Sequence, residues 1–419
     1  MNIRIRKLKK ELVEIRPEIC TERLIILTRA YQRYEAYPNI MKRAMALRDI
    51  LNQMSIYMEE GQLIAGNQAS KPRSAPLFPE YSWEWIYGEI DQFEHRASDV
   101  FYVTDTNKKI MRRELKYWKG KTLQDRALVM QSDLVMQDKK VGVLGWEGNV
   151  TAGEGHIILD FEKIIKVGFG GIVREAQEHL NSLSRTDPDD LRKEAFYKAV
   201  ITVYEACSEF AERYVCLAEK LAEDAVEDRK AELLQIAEGC DVVPAHKPET
   251  FYQAIQTYWF THLAVTTELN PWDAYSPGHF DQHLGPFYER DTEAGILTRD
   301  QALELMECLW VKFYNQPAPP KVGVTLKESS TYTDFANINT GGITPEGEDG
   351  VNEVSYIILD CMDEMQLVQP NSNVQISRKN PRRFLKRACE IARKGWGQPA
   401  FYNTEAIIQE LMNAGKTLE

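Results

Sequence analysis

The amino-acid sequence predicts an α/β protein that is rich in helices and carries short strands in its second half. Apolar residues recur at helical spacing through most of the first half, which is typical of amphipathic helices. In the second half, the runs NVQISR and GQPAFYN have the composition of short strands, and each lies near a helical pattern. Strands that alternate with helices favour an α/β class. With 419 residues, the chain is long enough for two or three domains or for one large α/β body.

The first part of the chain predicts helices around one extended loop. Residues 1–60 have helical spacing that is interrupted at Pro38, because proline cannot continue a helix. Residues 66–82 contain several prolines and no clear period, so we expect an extended loop there. Leu77, Phe78 and Tyr81 would give that loop an apolar contact with the core. The run SWEWIYGEIDQF then predicts another helix.

Long helices are expected in the middle of the chain. Asp187 followed by Pro188 is a good start signal for a helix, since proline suits the first helical position. One apolar stripe is expected on this helix, made by Phe196, Val200, Val203, Cys207, Phe210, Tyr214 and Leu217. The next helix is predicted to open at Pro248, and His262 lies on its apolar face as a core residue. At the end of the chain, Asn403 or Thr404 would cap a helix that buries Ile407, Ile408 and Leu411.

Composition excludes several classes of function. Asp and Glu outnumber Lys and Arg by 63 to 51, so the formal net charge is −12, which does not suit binding to a phosphate backbone. The charged N-terminal stretch lacks the apolar region of a secretory signal, and no segment reaches the length of a membrane span. The seven cysteines are scattered without a C-x-x-C pair, which argues against a disulfide framework and a zinc ribbon. We therefore expect a cytoplasmic protein that binds neither nucleic acid nor membrane.

The densest group of polar and aromatic residues is TTELNPWDAYSPGHFDQH, at 266–283. Aromatic neighbours exclude water from a carboxylate such as Asp273 and can raise its pKa toward the range of a general acid or base. The alternative is that Asp273 only caps a turn beside a proline. His279 and His283 have the four-residue spacing of zinc ligands on a helix, but the H-E-x-x-H pattern is absent, so we predict no metal.

Two further segments are candidates for chemistry. His156 ends the glycine-rich stretch GEGH, where an imidazole could reach a ligand and transfer a proton; otherwise it only bonds to the backbone. Residues 325–342 carry many hydroxyl and amide side chains, which can line a polar small-molecule site or simply form turns. From the residues alone, the reaction remains open.

The chain resembles the glycyl radical enzymes of the pyruvate formate-lyase type over essentially its whole length. The resemblance depends on the stretches GNQASKPRSAPLFPE, GEGHIILDFEKIIKVGFGGI, SPGHFDQHLGPFYERD, NTGGITPEG and GWGQPAFYN. Within that family, TTELNPWDAYSPG and NQPAPPKVGVTLKESSTYTDFANINTGG are similar to the hydroxyproline dehydratases. This resemblance implies radical dehydration of trans-4-hydroxy-L-proline to 1-pyrroline-5-carboxylate.

The family has a ten-stranded α/β barrel made of two half-barrels and wrapped by helices. The resemblance implies that residues 1–125 are a helical and extended N-terminal region and that residues 126–419 are the first half-barrel. It also implies roles for single residues. His156 would face the leaving hydroxyl, and Asp273 would lie near the substrate amine and the reacting carbon. Trp272, Ser329, Asp334 and Phe335 would line the substrate site.

The resemblance also implies which parts of the reaction lie elsewhere. The family's radical cysteine and radical glycine belong to loops with characteristic sequences, and neither sequence occurs here; Cys240, in GCDVV, only looks similar. We expect the chain to bind no cofactor directly, with the glycyl radical carried by a missing C-terminal part and installed by a radical-SAM activating enzyme. The full-length form would be a homodimer, and the chain alone would be inactive.

Two departures leave alternatives open. Gly148 stands near the position of an aromatic residue in the dehydratases, and His279 stands where an arginine usually follows Pro-Gly. One aromatic ring or one guanidinium can decide pocket shape and carboxylate recognition. The substrate could therefore be another small molecule, such as a diol, a carboxylate or an amine. Alternatively, the chain could be a non-catalytic fragment.

Overall fold

The structure is a computed structural model that describes residues 1–97, 99–144, 157–184, 186–270, 275–318 and 336–417. Helices dominate these residues and short strands are spaced between them. The helices are α1 (Ile3–Glu14), α2 (Glu22–Arg33), α3 (Asn39–Gln53), α4 (Trp83–Glu89), α5 (Asp105–Glu114), α6 (Leu123–Val129), α7 (Asp133–Lys140), α8 (Phe161–Ser182), α9 (Pro188–Glu223), α10 (Glu227–Val242), α11 (Phe251–Leu269), α12 (Phe280–Glu293), α13 (Arg299–Tyr314), α14 (Glu353–Met365), α15 (Arg382–Ala392) and α16 (Thr404–Asn413). The strands are β1 (Glu18–Ile19), β2 (Ser74–Ala75), β3 (Ile157–Ile158), β4 (Tyr275–Ser276), β5 (Asn337–Gly341), β6 (Asn371–Ile376) and β7 (Ala400–Asn403).

All pairings between these strands are parallel. β1 pairs with β2, β3 pairs with β4, and β5, β6 and β7 form a three-stranded sheet in chain order. A bridge between His279 and Asn339 places the chain after β4 beside β5. Parallel strands joined by helical crossovers confirm the predicted α/β class, and β6 and β7 confirm the two predicted strands.

Helix starts follow local capping chemistry. α9 begins at Pro188, as predicted, and the Asp187 side chain accepts a hydrogen bond from the backbone of Asp189. The predicted opening at Pro248 is wrong, because α11 begins at Phe251. There the hydroxyl of Thr250 accepts from the Gln253 backbone N–H at 3.1 Å, so a Thr side chain, rather than the proline, sets the helix start.

One large apolar core runs from α1 to α14 and continues into residue 367. Trp259 and Trp310 are fully buried in it, and His262 is fully buried on α11, which confirms the prediction of a core histidine. Leu77, Phe78 and Tyr81 of the extended loop are also buried, as predicted. This core contains residues from both sides of position 125, and the domain division at that position stays a prediction.

The N-terminal helix is held by residues that are distant in sequence. Arg4 donates from Nε to Glu304 of α13 at 2.8 Å and from Nη1 to Glu232 of α10 at 2.9 Å. Ile5, Leu8 and Leu12 of the same helix are buried in the main core. Contacts with α10 and α13 therefore hold the first helix in place.

The last strand and helix are packed much less completely. All four residues of β7 are exposed. Asn403 caps α16 as expected, accepting from the Ala406 backbone N–H at 2.9 Å. The predicted buried face of this helix is wrong, because Ile407 is 37% exposed and Leu411 is 49% exposed. The apolar spacing is present, but no described element covers this face.

The run GFGG produces a kink in α8. Gly168 has a φ of +66°, and a Cβ at this position would lie 2.5 Å from the backbone carbon of His246. The Phe169 backbone N–H donates to Pro244 O at 2.8 Å, and that of Gly170 donates to Ala245 O at 2.9 Å. The glycine therefore permits close contact between two backbone segments.

Candidate functional site

The beginnings of β3, β4 and β5 lie next to one another. Ile157 pairs with Tyr275 at the start of β3 and β4. The Asn337 backbone N–H, at the start of β5, donates to the Ser276 hydroxyl at 3.3 Å. Three stretches of chain that are far apart in sequence therefore enter the strands at one place.

The predicted site residues belong to the segments that lead into these strands, and they lie outside the described residues. They are His156, Trp272, Asp273, Ser329, Asp334 and Phe335. In sequence, His156 comes directly before β3, and Asp273 comes two residues before β4. Phe335 comes two residues before the first residue of β5. The roles of these six residues stay predictions. The described strands show only where the segments that contain the residues end.

One face of the β5–β6 pair carries amide side chains. The register places Asn337 opposite Asn371 and Asn339 opposite Asn373, and the Asn373 Nδ2 donates to Asn339 Oδ1 at 3.2 Å. Ile338 and Val374 point to the opposite face and are fully buried. Parallel sheets are usually covered by apolar contacts on both faces. The amide face is therefore suited to a polar neighbour.

Asp281 fixes the far end of β5. Its Oδ2 accepts from the Gly341 backbone N–H at 2.8 Å and from the Ser355 hydroxyl, and its Oδ1 accepts from the Gln282 backbone N–H at 2.9 Å. Burial raises the pKa of Asp281 to about 7, although these three hydrogen bonds favour the charged form. This carboxyl joins α12, β5 and α14 at one point.

His279 and His283 stand at the start of α12. Burial lowers the pKa of both imidazoles, so their neutral forms are favoured. The Nδ1 of His279 lies 3.1 Å from Gln282 Nε2, which also donates to Gly341 O at 3.0 Å. His279 therefore contributes a neutral hydrogen-bonding group at the start of α12.

A separate cavity of about 380 Å³ lies between α3, α8, α9 and α11. Its lining is mostly apolar and includes Phe169 and Val203, with the ion pair of Arg43 and Glu268 among the polar contributors. Phe196 also lines it and is 50% exposed, so this end of the predicted apolar stripe is open to solvent. Cys207 of the same stripe is buried, and burial raises the pKa of its thiol to about 12, which keeps it protonated.

The contacts of several residues in this region could not be predicted from the sequence. Asp281 and Asn339 lie in stretches that the sequence analysis singled out, but their partners, and the role of Asn373, stand out only once the strand register is known. The alternation in NINTG could have indicated a strand with amides on one face. Nothing local marks Asp281 as buried, since the partners Gly341 and Ser355 are more than fifty residues away.

The fold of helices and parallel strands agrees with the family comparison. The family model "Pyruvate formate lyase-like" matches residues 1–419, and the chain belongs to this family.

Particular relatives are also similar. The chain is 49% identical over 420 residues to a trans-4-hydroxy-L-proline dehydratase of Clostridioides difficile, covering 99% of this chain and 53% of the relative. The crystal structure of the hydroxyproline dehydratase from that organism, with trans-4-hydroxy-L-proline bound, matches with a TM-score of 0.95 at 48% identity, over 100% of this chain and 53% of the other. The glycerol-bound B12-independent glycerol dehydratase from Clostridium butyricum also matches with a TM-score of 0.95, at 34% identity, over 100% and 53%. The chain thus spans about half the length of these relatives.

Among the described residues, the helices are all too short or too polar to cross a membrane.

Proposed function

We propose that this chain forms the substrate-binding part of a glycyl radical dehydratase, with trans-4-hydroxy-L-proline as the substrate and 1-pyrroline-5-carboxylate as the product. The observation that carries the proposal is the adjacency of β3, β4 and β5, because each follows a segment that contains predicted site residues. The likeness to a hydroxyproline dehydratase at 49% identity supports the substrate class. The cytoplasm is the proposed compartment.

The proposed roles follow the chemistry of each side chain. His156 supplies an acid for the departing hydroxyl, and Asp273 accepts a proton near the reacting carbon. Trp272, Ser329, Asp334 and Phe335 shape and line the pocket. Consecutive Cα atoms are about 3.8 Å apart, so residues within one or two positions of paired strand ends can meet around one small molecule.

The radical chemistry would be supplied by a cysteine and a glycine outside this chain. The chain itself would bind and orient the substrate, exclude water and move protons. The proposed partners are the small-molecule substrate, a radical-SAM activating enzyme and, in the full-length form, a second copy in a homodimer.

The test compares the 419-residue chain with a polypeptide that continues it through the second half of the family's length. After anaerobic activation by a radical-SAM activating enzyme, the extended polypeptide should convert trans-4-hydroxy-L-proline to 1-pyrroline-5-carboxylate, measured by mass spectrometry. The 419-residue chain should give no product. Turnover by this chain alone would refute the assignment as the substrate-binding part.

A matched pair of variants tests the role of Asp273. Asp273→Asn in the extended polypeptide should lower kcat by about 100-fold or more, which is the size expected for loss of a general acid or base. Asp241→Asn, at an exposed position on α10, is the control and should leave kcat unchanged. Equal kcat values for the two variants would contradict the proposed role of Asp273 as an acid or base.

One observation favours a second candidate substrate class. The neutral His279 lacks the positive charge that would bind a substrate carboxylate at this position. A related lyase that acts on a diol or an amine is therefore the alternative. Assays of the extended polypeptide with glycerol and with hydroxyproline separate the two, since product from glycerol alone would select the alternative.

The exposed β7 and α16 also allow a non-catalytic module that associates through its open edge. An extended polypeptide that is folded and activated but dehydrates none of these substrates would favour this third assignment.

A further inference from the structure

The cavity between α3, α8, α9 and α11 has the size of a small-molecule site. Its volume is about 380 Å³. Ligand pockets in proteins commonly measure about 300–1,000 Å³, and an apolar cavity of about 150 Å³ is large enough for one benzene. The space therefore suits a compound with two fused aromatic rings. None of the described residues that line this cavity is one of the predicted site residues.

The buried part of the cavity lining is apolar. Leu47 of α3, together with Ala199 and Cys207 of α9, lies there, and each is at most 5% exposed. Phe169 of α8 is also buried, and its ring meets the ring of Tyr204 edge-on, with 4.9 Å between the ring centres. Aromatic rings gain stability from further edge-to-face or stacked contacts with other rings. This lining therefore favours a ligand with an aromatic body.

An ion pair brings charge to this otherwise apolar lining. Arg43 of α3 pairs with Glu268 near the end of α11, and both residues line the cavity. The Nε and the Nη2 of the guanidinium contact the same carboxylate oxygen, Oε1, and the Nε bond measures 2.6 Å. The pair therefore does not use Glu268 Oε2 as an acceptor or Arg43 Nη1 as a donor. The two side chains are 23% and 48% exposed, so a molecule that enters the cavity can reach them.

The two opposite charges determine which polar group of a ligand fits. Burial raises the pKa of Glu268, and Arg43 opposes this shift, so the carboxylate depends on its partner. An additional hydrogen-bond donor would stabilise this carboxylate further. An anionic ligand group would be repelled by Glu268, and a cationic group would be repelled by Arg43. A neutral group that both donates and accepts can bond to Oε2 and to Nη1 without either repulsion.

We propose that this cavity binds a small uncharged aromatic compound that carries a hydroxyl or an amide group. The rings pack against Phe169 and Val203, which line the cavity. The polar group donates to Glu268 Oε2 and accepts from Arg43 Nη1. This proposal is independent of the proposed function, because binding to these residues requires no turnover.

The first test compares naphthalene compounds that differ only in their polar group. The 419-residue chain is titrated with 2-naphthalenemethanol, naphthalene, 2-naphthoate and 2-naphthylmethylammonium, and isothermal titration calorimetry gives each Kd. We expect the alcohol to bind about fivefold or more tightly than each of the others, because it gains hydrogen bonds to charged groups without repulsion. Equal or tighter binding of another compound would overturn the assignment of a neutral polar group. Failure of all the compounds to bind would overturn the site.

Two valines on α9 form a matched pair that tests the location. Val203 lines the cavity, Val215 lies outside it, and both are half-buried against the main core. Val203→Trp places an indole in the cavity and should weaken binding of 2-naphthalenemethanol at least tenfold, whereas Val215→Trp should change the Kd less than twofold. Melts followed by circular dichroism check that both variants fold. If Val203→Trp does not fold, Ala264→Phe takes its place, because Ala264 of α11 also lines the cavity. Equal binding to the folded variants would overturn the location.

A second matched pair tests the polar contact. Glu268→Leu removes the acceptor and keeps a side chain of similar size. It should weaken binding of 2-naphthalenemethanol about fivefold or more and leave that of naphthalene within twofold, because a hydrogen bond to a charged group is lost. Glu175→Leu is the control, since Glu175 pairs with Lys163 at 2.7 Å on α8, outside the cavity. No loss for the alcohol, or an equal loss for both compounds, would contradict the role of Glu268.

Two further outcomes would assign the cavity to a protein surface instead of a ligand. Binding that is lost in the extended polypeptide would show that the second half of the family's length covers the cavity. Binding that weakens as the chain concentration rises would show that a second copy covers it. Either result would overturn the ligand site, whereas equal Kd values for both polypeptides at several chain concentrations would support it.

Discussion

The first and last helices of the described chain have similar apolar spacing but very different surroundings. In α1, Ile5, Leu8 and Leu12 are buried against the main core, and Arg4 bridges to two other helices. In α16, Leu411 is 49% exposed, and the neighbouring β7 is exposed along its whole length. An apolar stripe therefore shows that a face is suited to burial, but only the presence of a neighbouring element determines whether it is buried.

Charged side chains also differ in burial between the packed region and the region near the chain end. Lys312, on α13, is 1% exposed and donates to Glu59 at 2.8 Å and to Asn67 Oδ1 at 3.1 Å. Burial lowers the pKa of this lysine, while Glu59 opposes the shift. In contrast, Lys394 near the chain end is exposed and pairs with Asp363. Both regions contain paired charges, but only the pair of the packed region has a fully buried lysine.

The largest effect is expected when one partner of the buried pair is removed. Lys312→Met removes the charged partner of the Glu59 carboxylate inside the packed region. The free energy of unfolding should therefore fall by about 3–5 kcal/mol. Urea denaturation followed by circular dichroism measures this change. Lys198→Met, which breaks an exposed pair with Glu194, should cost less than about 0.5 kcal/mol. Similar losses at the two sites would show that burial does not decide how much a charge pair contributes to the free energy of unfolding.

A second large effect is expected at the kink of α8. Gly168→Ala places a Cβ 2.5 Å from the backbone carbon of His246 at a φ of +66°, so we expect a loss of about 3 kcal/mol. Gly295→Ala is the control, because Gly295 has a similar φ of +71° but no heavy atom near the added Cβ. Its loss should be about 1 kcal/mol. Thermal melts that show the same change for both variants would exclude the contact with the 244–247 backbone as the cause.

A pH-dependent effect is expected at Asp281. Because the folded pKa is about 7 and lies above the ordinary value of 3.8, the folded state holds a proton that the unfolded state releases. The stability from this group is present at low pH and is lost as the pH rises through 7. Between pH 5 and pH 8, the free energy of unfolding of the wild type should therefore fall by about 2 kcal/mol more than that of Asp281→Asn.

Urea melts at pH 5, 6, 7 and 8 measure this difference. Ser355→Ala removes one hydrogen bond to the carboxylate and should move the midpoint of the pH dependence upward. Parallel pH profiles for the wild type and Asp281→Asn would show that this carboxyl does not titrate in the range.

The smallest effect is expected on α16. Leu411→Ala should change the free energy of unfolding by less than about 0.5 kcal/mol, because the side chain is already half in solvent. Leu8→Ala on α1 is the matched substitution at the packed end and should cost about 2–5 kcal/mol. If Leu411→Ala proved as costly as Leu8→Ala, some element would cover α16 in solution, and size-exclusion chromatography would show whether that element is a second copy.

Local patterns predicted most of the secondary structure, and long-range contacts account for what they missed. The start of α9 at Pro188 and the buried loop residue Leu77 follow from capping chemistry and from apolarity. The start of α11 was misplaced because the Thr250 cap competes with a nearby proline. Apolar spacing placed Phe196 in the stripe of α9 but did not indicate its exposure, because periodicity does not show which neighbours border a stripe.

Less of the candidate site than of the fold could be predicted from the sequence. His156 and Asp273 were candidates from their sequence context, their specific roles came from a family resemblance, and those roles stay predictions. The buried network of Asp281 could not be recognised in advance, because its partner Ser355 is 74 residues away along the chain. Buried hydrogen-bond networks of this kind arise from the tertiary fold and leave no local signature.

The bond between Arg4 and Glu304 joins residues that are 300 positions apart. At the usual rate of about 5–20 residues per second, a ribosome needs about 15–60 seconds to make the chain between them. During that interval, the carboxylate of Glu304 is not yet there to accept from Arg4. The first helix therefore joins α13 only after α13 has been synthesised, although it begins the sequence.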